Sequence, residues 1–441
     1  MNNQYIPEAT LHHSMNALHA KKLLLGLCAL LFTFLVNAQE FTKESKEFIY
    51  PFKDQYSGVL KKHIKTLPES IRVVGLGEVS HYTKECYQLK EQIVLELIAK
   101  GFEGLVLEVD FGQALLWNDF VTKGIGNLDL LVSQSGWFTY RTEEFKSLLA
   151  AIRAHNINAA QPFQVYGMEM TAMNHNLEWL ANYFSRTLSN QHPIIKRLKK
   201  ERTFVAFQYH NPNEVLEYWD LFLDLRTLLE ANEEKFKYKA GEKEYQTALH
   251  IAEITRQYAT FISHDDFGLK VEFRDQFSTR NVLWSMNQLG EESRVAIWAH
   301  NGHVVKKSVI FNYDILGYYL NEIFGENYYA IGFTFNKGEF GAFSPNGFKR
   351  WELRGLRTPS WTKDFSKFKS PYLLFDVRSN LKVKNPPASS PLFTDIPIRR
   401  DIAESYREDN DATMDINLAQ SYDCLIYFEE SNYPTTITWA R

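Results

Sequence analysis

The sequence predicts an α/β protein with a mainly parallel central sheet flanked by helices, and three observations carry that reading. Short apolar runs at 71–76, 104–107 and 294–298 alternate with stretches of helical periodicity. The runs are continuously apolar, as strands buried on both faces must be. Each also ends in titratable residues, the pattern of a sheet whose carboxyl ends face a ligand.

In chain order, strand 71–76 opens the pattern, with β-branched Ile71, Val73 and Val74 leading into Gly75 and Gly77. Glu78 and His81 follow where a helix over 82–99 begins. Its apolar face carries Leu89, Ile93, Val94, Leu97 and Ile98, and Gly101 ends it. Lys90 shares a face with Cys86, Ile93 and Leu97, so a cation sits where an apolar side chain belongs. Either it snorkels to solvent, or its ammonium reaches the carboxylates at the sheet edge.

Strand 104–107 delivers Glu108 and Asp110. Thr142, ahead of Glu143 and Glu144, marks a helix start continued by Phe145, Leu148, Leu149 and Ile152. Strand 164–170 contains another acid, Glu169. Residues 173–265 then read as several helices without a strand, a helical insertion that could act as a lid. A helix over 272–289 carries Arg274, Asp275 and Trp284. Strand 294–298 runs into Ala299-His300-Asn301-Gly302-His303, read as a tight loop. A helix at 315–324, a strand at 329–335 and apolar runs at 372–375 and 424–428 complete the sheet.

The 441 residues allow a full core, and 45% hydrophobic with 23% charged residues is ordinary for a globular protein. A net charge of −4 gives no electrostatic reason to expect nucleic acid. Lys21 and Lys22 precede an apolar run of 14 residues at 23–36, closed by Val36 and Ala38 in the small-residue positions of a cleavage site. A signal peptide over 1–38, cleaved after Ala38, is therefore expected, with Met15 as a second candidate start and a buried N-terminal helix as the alternative. The run is short for a membrane span of about 20 residues. A secreted or periplasmic mature chain, 39–441, without stable membrane insertion follows. Bulky Leu27 before Cys28 argues against lipidation. Cys86 and Cys424 remain, too few for a disulfide framework, and read as buried thiols.

Glu78 with His81, Glu108, and His300 with His303 all stand at strand ends, and parallel strands bring such residues to one edge. Imidazole and carboxylate together suit general acid–base chemistry, the carboxylate orienting the ring that takes a proton from water. The same set could ligate a metal, although no zinc-protease helix spacing is present. No Gly-x-Ser-x-Gly elbow supports a serine nucleophile. A capped, solvated turn at Glu78 and His81 is the bland alternative, and His303 is the member of its pair expected to serve structure.

Together these motifs resemble the erythromycin esterase family. The resemblance rests on Gly77-Glu78-Val79-Ser80-His81, Leu107-Glu108-Val109-Asp110, Arg274-Asp275, Asn281-Val282-Leu283-Trp284 and Ala299-His300-Asn301-Gly302-His303. Gly317-Tyr318-Tyr319-Leu320, Ala330-Ile331-Gly332-Phe333 and the stretch from Asp423 to Glu430 extend it to most of the mature chain. It implies hydrolysis of a small-molecule ester or lactone by water, with no cofactor. His81 would be the general base, Glu78 and Glu108 would orient it and polarise water, and His300 would assist at the ester oxygen. Lys90, Arg274 and His303 would contact substrate. Lysine at position 90 stands where some members have arginine, which loses bidentate bonding. Tyr82 stands where many have glycine. A metal-dependent hydrolase on the same cluster and a non-catalytic binding protein are the other readings.

Overall fold

The apolar runs pair as the sequence predicts. In the computed structural model the strands are β1 (Ile49–Phe52), β2 (Val73–Leu76), β3 (Gly104–Asp110), β4 (Gln164–Glu169), β5 (Val295–Trp298) and β6 (Tyr328–Ser344), then β7 (Gly347–Leu353), β8 (Tyr372–Asp376), β9 (Ile396–Arg399), β10 (Thr413–Ile416) and β11 (Cys424–Ser431). The structure describes residues 43, 45–54, 57–200, 210–307, 313–344, 347–399, 406 and 412–437. The expected signal peptide and Cys28 lie outside them. Among the described residues no helix is long and apolar enough to cross a membrane.

Strand order is β1-β8-β11-β6-β2-β5-β3-β4, with β7 paired to β6; β9 and β10 form a separate ribbon. From β11 to β4 every neighbouring pair is parallel, while β8 and β1 are antiparallel at one end. Side chains alternate between two cores, as the two-residue period of a strand requires. Val73, Val295, Ile297 and Ala330 enter one, lined by helices Asn174–Thr187, Pro212–Ala231, Glu242–Ile262 and Phe267–Leu289. Val74, Leu76, Ala296, Trp298 and Ile331 enter the other, against helices Lys84–Ala99 and Glu143–Asn156. Cys86 and Cys424 are buried and free. Burial pushes the Cys86 thiol up to about 12, so it is no nucleophile.

Three features depart from the sequence reading. β1 includes Pro51, which an edge strand tolerates because one side needs no ladder bond. β6 is longer than the apolar run at 329–335, because its outer part pairs with β7 from Gly338↔Leu353 to Ser344↔Gly347. Since β6 is parallel to β2, this hairpin continues past the carboxyl edge of the sheet. Finally, 301–304 is a helical turn, Asn301–Val304, entered from His300. Asn301 explains that turn: its amide bonds the Phe333 backbone in both directions, at 2.8 and 3.0 Å.

The Asn301 clamp also dictates Gly77, whose N–H bonds the Ile331 carbonyl at 2.9 Å. A Cβ at position 77 would lie 2.2 Å from Asn301 Oδ1. Gly77→Ala should therefore cost about 2–4 kcal/mol of stability in urea titration. Gly58→Ala, at a helix start with open space around it, should be neutral or slightly stabilising. Equal stability of the two variants would contradict the clamp.

Candidate active site

Four parallel strands deliver acids or imidazoles to one edge: Glu78 and His81 after β2, Glu108 in β3, Glu169 at the end of β4, and His300 after β5. β3 bulges there, its register to β4 slipping between Leu107 and Asp110. Gly167 faces the bulge, and a Cβ on it would meet the Val109 and Asp110 carbonyls at 2.6 and 2.7 Å. Asp110 caps the helix Phe111–Lys123 through the Gln113 N–H at 2.8 Å. Glu108 is left for the site.

The first group is built on Glu78. One carboxylate oxygen lies 2.7 Å from His81 Nδ1; the other accepts from Lys90 Nζ at 2.7 Å and from Trp298 Nε1 at 3.1 Å. Lys90 Nζ also stands 3.9 Å from the centre of the Trp298 ring. The Lys90 side chain is 0% exposed. Its expected contact with substrate is therefore corrected: the ammonium is bonded to Glu78 and wholly shielded from solvent, so it does not snorkel. Burial alone would raise the Glu78 carboxyl, but the Lys90 charge and the His81 bond outweigh it and hold it below its ordinary value. Burial lowers the Lys90 ammonium despite Glu78. Two buried charges 2.7 Å apart that share a hydrogen bond stay ionised together.

The second group is built on Arg274, from the helix Phe267–Leu289. Its guanidinium donates to Glu108 at 2.7 Å and to Glu169 at 3.0 Å, and Nη1 lies 2.9 Å from His303 Nε2. The other His303 nitrogen meets Asp275 at 2.8 Å, and Asp275 accepts the Leu316 N–H at 3.1 Å. Burial works against charge on His303, but Asp275 and Glu108 outweigh it and raise the imidazole well above its ordinary value. Burial likewise opposes the Glu108 anion, yet His303, His81 and Arg274 hold its carboxyl well below the usual range. Glu169 goes the other way: burial raises it despite Arg274.

His300 joins the groups. Its N–H donates to Glu108 at 2.8 Å, and its ring centre is 4.9 Å from that of His81. Burial, then the neighbouring His81, pushes its imidazole well below the ordinary value, so the ring is neutral near pH 7. All seven residues singled out from the sequence are thus at one edge. His303 bridges Asp275 and Glu108, at 2.8 and 3.3 Å. Sequence reasoning assigned no site role to Glu169, Asp275 or Trp298. Glu169 obeyed the same strand-end rule as Glu108, and Asp275 adjoins Arg274; nothing in the sequence separates Trp298 from a core residue.

Acids and imidazoles in this geometry can orient a water and move a proton. Among the described residues no group of three or more His, Cys, Asp or Glu side chains is arranged to hold a metal ion. Lys90 takes one oxygen of Glu78, and Arg274 takes oxygens of Glu108 and Glu169.

Comparison with known proteins agrees with this architecture. The family model described as "Erythromycin esterase" matches residues 98–431, taking in Glu108, Arg274, His300 and His303, with Glu78 and His81 upstream of the match. Erythromycin esterase type II of Escherichia coli is 24% identical over 310 residues, 64% of this chain and 74% of that protein. A Bacillus cereus protein of known structure superposes with a TM-score of 0.75 at 24% identity, covering 91% of this chain and 100% of that one. A succinoglycan biosynthesis protein superposes at 0.72 with 18% identity, covering 90% and 98%. A mutant of erythromycin esterase EreC in its open conformation superposes at 0.58 with 18% identity, covering 84% and 93%. At such identities the structures share a fold, and the family match spans most of the sequence. The chain belongs to the erythromycin esterase family, whose activity is that of a hydrolase.

Proposed function

We propose that the chain hydrolyses a carboxylic ester or lactone with a water molecule activated by His81. The observation that carries this reading is the Glu78–His81 pair at 2.7 Å, in which Glu78 is 6% exposed and His81 19%. An ionised carboxylate only accepts hydrogen bonds, so Glu78 fixes the His81 proton on Nδ1 and leaves Nε2 as the base. Nε2 takes a proton as water oxygen attacks the ester carbonyl carbon. The imidazolium returns that proton to the alkoxide as the carbon–oxygen bond breaks, giving a carboxylic acid and an alcohol. Neutral His300 would donate to the ester oxygen as negative charge develops there. Glu108 would hold the His300 backbone and help orient the water, with Arg274 and His303 balancing its charge.

A lactone substrate is the form suggested by relatives named for erythromycin. The basic and apolar N-terminal segment ending at Ala38 would send the mature enzyme to the periplasm or outside the cell. A net charge of −4 gives no electrostatic reason to expect nucleic acid as a partner.

Removal of the base is the direct test. His81→Ala should lower kcat/KM for any ester the wild type cleaves by about 10²–10⁴-fold, with an unchanged circular dichroism spectrum. A folded variant with wild-type turnover would contradict the assignment. Lys90→Met should move the acid limb of the pH–rate profile upward. Lys90 and the His81 bond together hold Glu78 low against its burial, so without Lys90 the carboxyl protonates at higher pH and stops orienting His81. The same variant should lose about 3–5 kcal/mol of stability, since it leaves a buried carboxylate without its cation. That loss should shrink as pH falls and Glu78 takes up a proton. An unmoved acid limb would separate Lys90 from the chemistry.

A further inference from the structure

The residues on either side of His81 are tied to one glycine of the β6–β7 hairpin. Ser80 donates its hydroxyl to the Gly341 carbonyl at 3.1 Å, and the Gly341 N–H donates to the Tyr82 carbonyl at 3.0 Å. From the other side, the Tyr87 hydroxyl donates to the His81 carbonyl at 2.8 Å and contacts the Thr139 carbonyl, joining the turn Phe138–Tyr140. Aromatic rings fill the angle between hairpin and turn. Tyr82 meets Phe348 edge-on at 5.3 Å; Phe138 lies 4.5 Å from Phe348 and 5.5 Å from Phe343. Phe343 and Phe348 are a cross-strand pair, 5.3 Å apart.

This cluster is not sealed. Tyr82 is buried at its base, Phe138 and Phe348 are half-buried, and Phe343 is 41% exposed. These rings remain partly open on a wall attached directly to the His81 loop and rising past the carboxyl edge. Rigid rings present much apolar area at little entropic cost, which suits a flat or cyclic apolar group.

We propose that Phe138, Phe343 and Phe348 form the subsite for an apolar, ring-bearing part of the ester substrate. The proposal rests on reading the His81 cluster as the hydrolytic centre. Its test compares kcat/KM for 2-naphthyl acetate and ethyl acetate in the wild type, Phe343→Ala and Phe138→Ala. Val383→Ala, at a 69% exposed position on another helix, is the control. The naphthyl-to-ethyl ratio should fall about fivefold or more in both phenylalanine variants, mainly through KM, and stay constant in the control. A ratio that holds in both variants, or falls equally in the control, overturns the subsite. If the wild type cleaves neither ester, the hydrolytic reading is at fault and binding of 2-naphthol, by calorimetry, decides the subsite. Weaker binding by Phe343→Ala supports it; equal binding, or none by the wild type, overturns it.

Discussion

A carboxylate buried at the end of a strand is tolerable only when its charge is balanced and its lone pairs are used, and Glu78 meets both conditions. Lys90 and Trp298 hold one oxygen and His81 uses the other. Each partner comes from a different place: Lys90 from the first helix after β2, Trp298 from the adjacent strand, His81 from the same turn. The turn is closed in its turn by Gly77 against Asn301. The interaction that orients His81 is thus also one that joins β2, β5 and the helix Lys84–Ala99.

The second cluster repeats this logic with a different cation. Arg274 offers a planar fork to two carboxylates from neighbouring strands, which a lysine could not match. Glu108 is thereby kept ionised while Glu169, with less cationic company, is raised by burial. Acids of opposite tendency side by side, with a neutral imidazole beside them, are the usual ingredients of proton traffic near neutral pH.

Much of this was legible in the sequence, for physical reasons. Parallel strands buried on both faces must be apolar along their whole length, so their ends announce themselves, and Glu78, Glu108 and His300 stood at such ends. Lys90 was visible as a charge on an apolar face, although the sequence left open whether it snorkels to solvent or reaches the carboxylates. Other features were hidden. Trp298 looks like any core residue, because nothing in a sequence says where an indole N–H points. The outer part of β6 was missed since Gly338 and Gly341 and the charged residues around them break its apolar pattern. That hairpin is held by long-range contacts to the His81 loop, which local propensity does not encode. The substrate contact expected of Lys90 failed on depth: spacing gives a residue's face on its helix but not how far it lies below the surface.

The central claim is that His81 activates water for direct attack, and a single turnover in ¹⁸O-labelled water tests it most directly. Enzyme in excess over an ester that it cleaves would be quenched, and both the acid product and the protein read by mass spectrometry, with and without a chelator. Direct attack by water places one labelled oxygen in the acid and none in the protein, with no acyl-protein adduct and the same turnover in chelator. Label in a peptide containing Glu78 or Glu108, a trapped acyl-protein, or turnover that chelation abolishes and a divalent ion restores would contradict it.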